Sequence, residues 1–156
     1  WSGVGLGTSK AHSIEISGIK ISFEPLYQVE TELGRVFKQA GQKGIFDGEI
    51  LLDDKFTRIE MLRALKLRRP LVHIASHFRF EPGDEAGSFL LLGNGEVMTL
   101  DEMKKEKDMF AGVELVTLSA CQTAAQRPNA NGREIDGFAE LAQRLGAGAV
   151  MASLWD

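Results

Sequence analysis

Two apolar runs in this chain each end on a residue that can do chemistry. Leu115-Val116-Thr117-Leu118-Ser119-Ala120 delivers the single cysteine, Cys121, into the small polar stretch Gln122-Thr123. Upstream, Leu71-Val72-His73-Ile74-Ala75-Ser76 ends on His77. A thiol becomes a good nucleophile near neutral pH when a base takes or shares its proton, because the thiolate is the reactive form. Near-continuous apolar runs of this length are expected as central strands of a parallel sheet, buried on both faces. In such sheets binding sites lie beyond the carboxyl ends of the strands, where His77 and Cys121 both fall. Neighbouring strands run about 4.8 Å apart, close enough for imidazole and thiol to interact. The expected roles are His77 as general base and Cys121 as nucleophile, with a backbone N–H at Cys121 helping to stabilise an oxyanion.

The residue types alone leave a plainer reading open. A cysteine ending a buried strand can be an inert core residue, and a histidine in an apolar strand can be a hydrogen-bonded structural one. His73, in mid-strand, fits the structural use, and His12 has no partner in the sequence around it. One cysteine and three dispersed histidines show no paired ligand spacing, so neither a metal nor a cofactor is expected.

The elements that must position the pair can be read around it. Gly3-Val4-Gly5-Leu6-Gly7, Ile14-Glu15-Ile16 and Ile19-Lys20-Ile21 suggest short strands or a hairpin, with the glycines serving flexible turns. They do not form a phosphate loop, since no helix opens after them and no lysine-serine pair follows. A helix is expected over 25–40, with Leu26, Val29, Leu33, Val36 and Phe37 on one face and Gly41 as its stop. Glu49-Ile50-Leu51-Leu52 reads as a strand. Thr57 and Glu60 form a capping box for a helix through Leu65 whose inner side is Ile59, Leu62 and Leu65. Asn94-Gly95, flanked by Ser88-Phe89-Leu90-Leu91-Leu92 and Glu96-Val97-Met98, marks a hairpin. Thr99 with Glu102 caps a further short helix. After the cysteine strand, a helix is expected with Ile135, Phe138, Leu141, Ala142 and Leu145 inward, followed by Gly146, Gly148 and a last strand. Alternating strands and helices imply an α/β fold with a parallel sheet covered on both faces. Segments 79–88 and 126–134, polar and containing Gly or Pro, are candidate substrate walls or activation elements.

Composition narrows the class. A chain of 156 residues has the size of one domain. Its 44% hydrophobic and 26% charged residues are ordinary for a soluble globular protein. A net charge of −4 gives no reason to expect nucleic acid as a partner. A single cysteine fits a reducing, intracellular setting. No apolar run reaches the length of a membrane span, and no secretory leader is visible. The chain starts at Trp1 and stops just after the strand-like Ala149-Val150-Met151-Ala152-Ser153-Leu154-Trp155, as expected of a piece of a longer protein.

His73-Ile74-Ala75-Ser76-His77, Phe89-Leu90-Leu91-Leu92 with Gly95 and Leu100, Leu118-Ser119-Ala120-Cys121-Gln122-Thr123-Ala124, Gly137-Phe138-Ala139, and Gly146-Ala147 through Ala152-Ser153-Leu154-Trp155 form an ordered set of blocks. Together they resemble the CHAT domain, a caspase-like cysteine peptidase family of clan CD, the group that also holds separase, gingipain and legumain. The resemblance covers residues from about 25 to the end. It implies a caspase-like three-layer sandwich with a central, mainly parallel sheet and a small hairpin between the His and Cys strands. Residues 1–156 would be one domain fragment, truncated at both ends, with a strand-rich N-terminal part over 1–24. It also implies a His77–Cys121 dyad in a regulated cysteine endopeptidase acting on a protein or peptide substrate. The setting implied is bacterial and cytoplasmic, with an adjacent tetratricopeptide or other helical repeat domain, and with no nucleic acid or membrane bound directly. Oxyanion donors would be the backbone N–H groups of Phe78 and Cys121, and Ser119 and Asp156 would line the substrate pocket. Many members carry glycine where this chain has Phe78; Gly83, further along, is an alternative donor. A second reading is a non-catalytic caspase-like scaffold or signalling module.

Overall fold

The computed structural model describes the chain apart from residues 40, 42, 82, 123–132 and 156, with 121, 122, 133–135, 154 and 155 described at the backbone alone. Its elements in chain order are β1 (Ser2–Gly7), β2 (His12–Ile16), β3 (Ile19–Phe23), α1 (Val29–Val36), β4 (Phe37–Lys38), β5 (Phe46–Leu52), α2 (Arg58–Lys66), β6 (Leu71–Glu81), β7 (Asp84–Leu91), β8 (Val97–Thr99), α3 (Leu100–Lys105), β9 (Leu115–Gln122), α4 (Arg133–Arg144) and β10 (Ala149–Trp155). Six strands line up as β10-β9-β6-β1-β5-β4, every neighbouring pair parallel. β7 and β8 add an antiparallel hairpin to the outer part of β6. The result is the expected α/β sandwich around a mainly parallel sheet, with a hairpin between the His and Cys strands.

Side-chain alternation sorts the two faces of this sheet. Val4, Leu6, Val72, Ile74, Phe78, Val116, Leu118 and Ala120 point to one face. There they join Met61, Ala64 and Leu65 of α2, Leu100 and Met103 of α3, and Phe138, Leu141 and Ala142 of α4 in the main core. The opposite face is covered in two smaller patches. Val29 and Leu33 of α1 pack on Ala75, and the β2–β3 hairpin lays Phe23 over Phe89 and Leu91.

Three local expectations need correction. The glycines of β1 are not turn residues but occupy a central strand. A Cβ on Gly3 would lie 2.5 Å from the Leu71 carbonyl oxygen and the Phe37 ring, and one on Gly7 would lie 2.6 Å from Leu33, so their bareness lets α1 and Phe37 sit directly on the sheet. The helix expected over 25–40 is confined to α1. The Leu26 amide bonds to the Ser9 carbonyl, which holds 24–27 against the end of β1, while Phe37 leaves the helix for β4 and is fully buried. In α2 the cap holds, with Thr57 Oγ1 accepting from the Glu60 amide at 3.2 Å. That start turns Met61, Ala64 and Leu65 inward and leaves Ile59 78% exposed.

Other signals correspond directly. Thr99 Oγ1 accepts from the Glu102 amide at the start of α3. Asn94-Gly95 sits in the β7–β8 turn, with Gly95 at φ +90°. The segment read as a polar wall over 79–88 is largely the β6–β7 hairpin, and Gly83 (φ +79°) lies in its turn, about 20 Å of strand beyond His77. Most of 126–134 lies outside the described residues, as does Asp156; Ile135 is described only as backbone of α4.

Candidate active site

β6 and β9 are adjacent and parallel, and their register runs from Leu71 opposite Leu115 to His77 opposite Cys121 and Phe78 opposite Gln122. His77 and Cys121 therefore occupy neighbouring positions on one face of the sheet, on strands about 4.8 Å apart. Trp155 of β10 is the register partner of Cys121 on its other side. Contrary to expectation, His77 does not end its strand. β6 continues through Glu81 because β7 pairs with it from Phe78 onward, whereas β1 pairs with it only as far as Ala75. His77 thus sits where β6 exchanges one neighbour for the other.

The imidazole of His77 is held tightly. It is 1% exposed, and its Nε2 lies 2.8 Å from the backbone carbonyl oxygen of Glu24, the residue that follows β3. A carbonyl only accepts, so Nε2 carries the hydrogen, and in the neutral ring the lone pair is on Nδ1. Phe23 packs on the same ring with centroids 5.1 Å apart. Pro25 favours extended backbone at Glu24, which helps to direct that carbonyl. The next residue back, Ser76, is buried and donates to the Leu91 carbonyl at 2.6 Å, while Thr8 donates to the same carbonyl at 3.3 Å. β6 is thereby tied to β7 just before the histidine, and Thr8, whose amide donates to the Ala75 carbonyl at 3.0 Å, ties the end of β1 to both strands.

A second polar group lies further down the same face. His73 Nε2 is 2.6 Å from Glu32 Oε1 of α1, and His73 Nδ1 contacts the Thr117 hydroxyl. A carboxylate only accepts, so His73 Nε2 carries the hydrogen of that bond, while the Thr117 hydroxyl donates to the Val72 carbonyl at 3.4 Å. Burial alone would raise the Glu32 carboxyl, but the hydrogen bond to His73, the charge of His73 and a hydrogen bond with Ser119 together hold it below its ordinary value. His73 is thus the hydrogen-bonded structural residue that its mid-strand place suggests. Ser119 is buried and lies opposite Ala75 on β6 and Ser153 on β10.

Phe78 continues β6, with its side chain in the main core against Phe138 at 5.4 Å between ring centroids. Two contributors are not named by the motif blocks, the Glu24 carbonyl and Glu32. A backbone acceptor leaves no side-chain signal. The polar face was signalled, since Thr117, Ser119 and Cys121 recur at every second position, the period of one side of a strand. Among the described residues, no cluster of three or more His, Cys, Asp or Glu could hold a metal ion, and no helix is long and apolar enough to cross a membrane.

Neither a curated protein nor a solved structure matches the chain. The family model described as the CHAT domain matches residues 7–156, extending the resemblance back to the end of β1. With that match running over nearly its whole length, on a mainly parallel α/β sandwich, the chain belongs to the caspase-like CHAT family.

Proposed function

We infer that this protein is a cysteine endopeptidase in which Cys121 is the nucleophile and His77 its base. The observation that carries the reading is the register pairing of the two on adjacent parallel strands, with the Glu24 carbonyl holding the proton on Nε2 of His77. Nδ1 takes the thiol proton, and the thiolate attacks the scissile carbonyl. The backbone N–H of Cys121 is the proposed donor to the resulting oxyanion; Phe78, expected as a second donor, has its backbone inside the sheet between Leu90 of β7 and Gln122 of β9. The imidazolium returns its proton to the leaving amine, which departs and leaves a thioester on Cys121. Water, deprotonated by the same imidazole, then hydrolyses the thioester. As the ring charges, the Glu24 carbonyl keeps its hydrogen bond to Nε2–H and stabilises the imidazolium. A regulated protease beside a repeat domain, acting on a protein substrate in the cytoplasm, is the wider setting we propose on family grounds.

Replacing Cys121 by Ala tests this. Peptide-library cleavage by the full-length protein should vanish in Cys121→Ala, while stability shifts by no more than about 1 kcal/mol. Cleavage that survives the substitution rejects the mechanism. Alkylation of Cys121 against pH separates the scaffold alternative: a rate already high near neutral pH supports the peptidase, and one rising only near pH 8.5, the ordinary thiol value, supports the scaffold.

A further inference from the structure

His77 is held by the Glu24 carbonyl, and Glu24 must in turn be held. It belongs to the short segment 24–27 between β3 and α1. Apart from the junction with α1, two hydrogen bonds tie the backbone of this segment to other elements among the described residues. One joins the Glu24 carbonyl to His77, and the other runs from the Leu26 amide to the Ser9 carbonyl at 2.8 Å. Leu26 packs on Val29, Leu33 and Ala75, whereas Tyr27 is 83% exposed, so packing secures only part of the segment. Ser9 is itself gripped by Asp53, the residue just after β5. The Asp53 carboxylate accepts from the Ser9 amide at 2.7 Å, the Ser9 hydroxyl at 2.5 Å and the Lys10 amide at 3.3 Å. Asp53 is buried and stands at φ +51°, in the left-handed region, and its backbone carbonyl accepts from the Phe56 amide at 2.8 Å. Gly93 is bare where that backbone passes, since a Cβ there would run into the Asp53 carbonyl.

Resting on the peptidase reading, we propose that Asp53 is a positioning residue for the base, acting through Ser9 and Leu26 on the Glu24 carbonyl. A buried carboxylate and a left-handed residue other than glycine each cost free energy, and this position carries both costs. What they secure is a carboxylate aimed back at the loop after β1, with both oxygens engaged. Thr8 fixes where the chain leaves β1, through its bonds to Ala75 and Leu91. Asp53 fixes the next residue, and so aims the Ser9 carbonyl at Leu26. The path Asp53–Ser9–Leu26–Glu24–His77 then runs from the end of β5 to the imidazole through hydrogen bonds of 2.5–2.8 Å. The Glu24 carbonyl keeps the hydrogen on Nε2 and stabilises the charged ring. A displaced carbonyl leaves the imidazolium less favoured, and with it the Cys121 thiolate. Asp53 need not touch substrate for this, because a small misplacement remote from the reacting atoms is felt in the rate.

The test is the rate of alkylation at Cys121 against pH in the full-length protein, followed by peptide mass mapping. Asp53→Gly deletes the carboxylate while suiting the backbone angle. Its rate at neutral pH should fall by roughly 10-fold as the profile moves about one pH unit toward the ordinary thiol value, and kcat for peptide cleavage should fall with it. Asp53→Asn should stay within a few-fold of the parent. Its amide oxygen still accepts from Ser9 and Lys10, its NH2 can donate to the Ser9 hydroxyl, and asparagine tolerates the left-handed region. If Asp53→Gly does not fold, Ser9→Ala is the second arm: it keeps the amide bonds, deletes the hydroxyl alone and should shift the profile less in the same direction. Leu118→Ala controls for lost stability by itself and should leave the profile in place. A parent-like profile in the folded clamp variant, an equal shift in Leu118→Ala, or Asp53→Asn as impaired as Asp53→Gly overturns this proposal and leaves the peptidase reading standing. A parent whose thiol reacts only near pH 8.5 and which cleaves no peptide removes both.

Discussion

The two faces of β6 and β9 are made from alternate residues of the same two segments, and they differ in what they bury. On one face Val72, Ile74, Phe78, Val116, Leu118 and Ala120 disappear into the main core beneath α2, α3 and α4. On the other, His73, His77, Thr117, Ser119 and Cys121 share their side of the sheet with a short helix and a hairpin. Apolar burial on the first face supplies the stability that lets the second carry histidines, hydroxyls and a partly exposed carboxylate, with His73 held by Glu32 and His77 by the Glu24 carbonyl. The difference teaches that stability and chemistry are separable here by residue parity, even within one strand.

That separation can be broken from either side. The largest effect belongs to Cys121→Ala, which should remove cleavage and leave the melting transition nearly in place. Next is its mirror image on β9, Leu118→Ala. Leu118 is 2% exposed, and its truncation should cost about 2–5 kcal/mol in denaturant unfolding, with the alkylation profile of Cys121 unchanged in the protein that remains folded. Should Leu118→Ala instead change the thiol profile while sparing stability, the division by face is wrong. Gly3→Ala probes how closely the helix-bearing side is packed. Its new methyl meets a backbone carbonyl and the Phe37 ring at 2.5 Å, so a loss of about 1–3 kcal/mol is expected.

The smallest effect sharpens the contrast through pH. The Glu32 carboxyl is lowered in the folded protein, so it contributes stability above its ordinary value of 4.5 and loses that contribution as pH falls below it. Thermal melts between pH 7 and pH 3 should therefore fall less steeply for Glu32→Gln than for the parent. An identical pH slope would show that the carboxylate adds no stability to its face.

Much of this was legible in the chain. The caps at Thr57 and Thr99 and the Asn94-Gly95 turn are local chemistry, readable because donor and acceptor lie within a few residues. That His77 and Cys121 each follow an apolar run was readable, whereas the adjacency of the two runs was implied only by the family resemblance and is set by the sheet order. The phase of α2 was misread because Ile59 is as apolar as Met61, and only the main core decides which of them is inside. The β1 glycines were misread because glycine marks both turns and close approaches, and the approach of α1 and Phe37 is invisible until the fold brings them there.

By itself the sequence determined which segments become strands and helices, where several of them start, and that one thiol and one imidazole each follow an apolar, strand-forming run. Period, capping and turn geometry act over short spans, so the order of residues contains them. Tertiary structure alone decided that a carbonyl 53 residues upstream holds His77 and that a helix carboxylate 41 residues upstream holds His73. Those bonds join segments remote in the chain, and packing the helix and the hairpin onto one side of the sheet is what makes them neighbours.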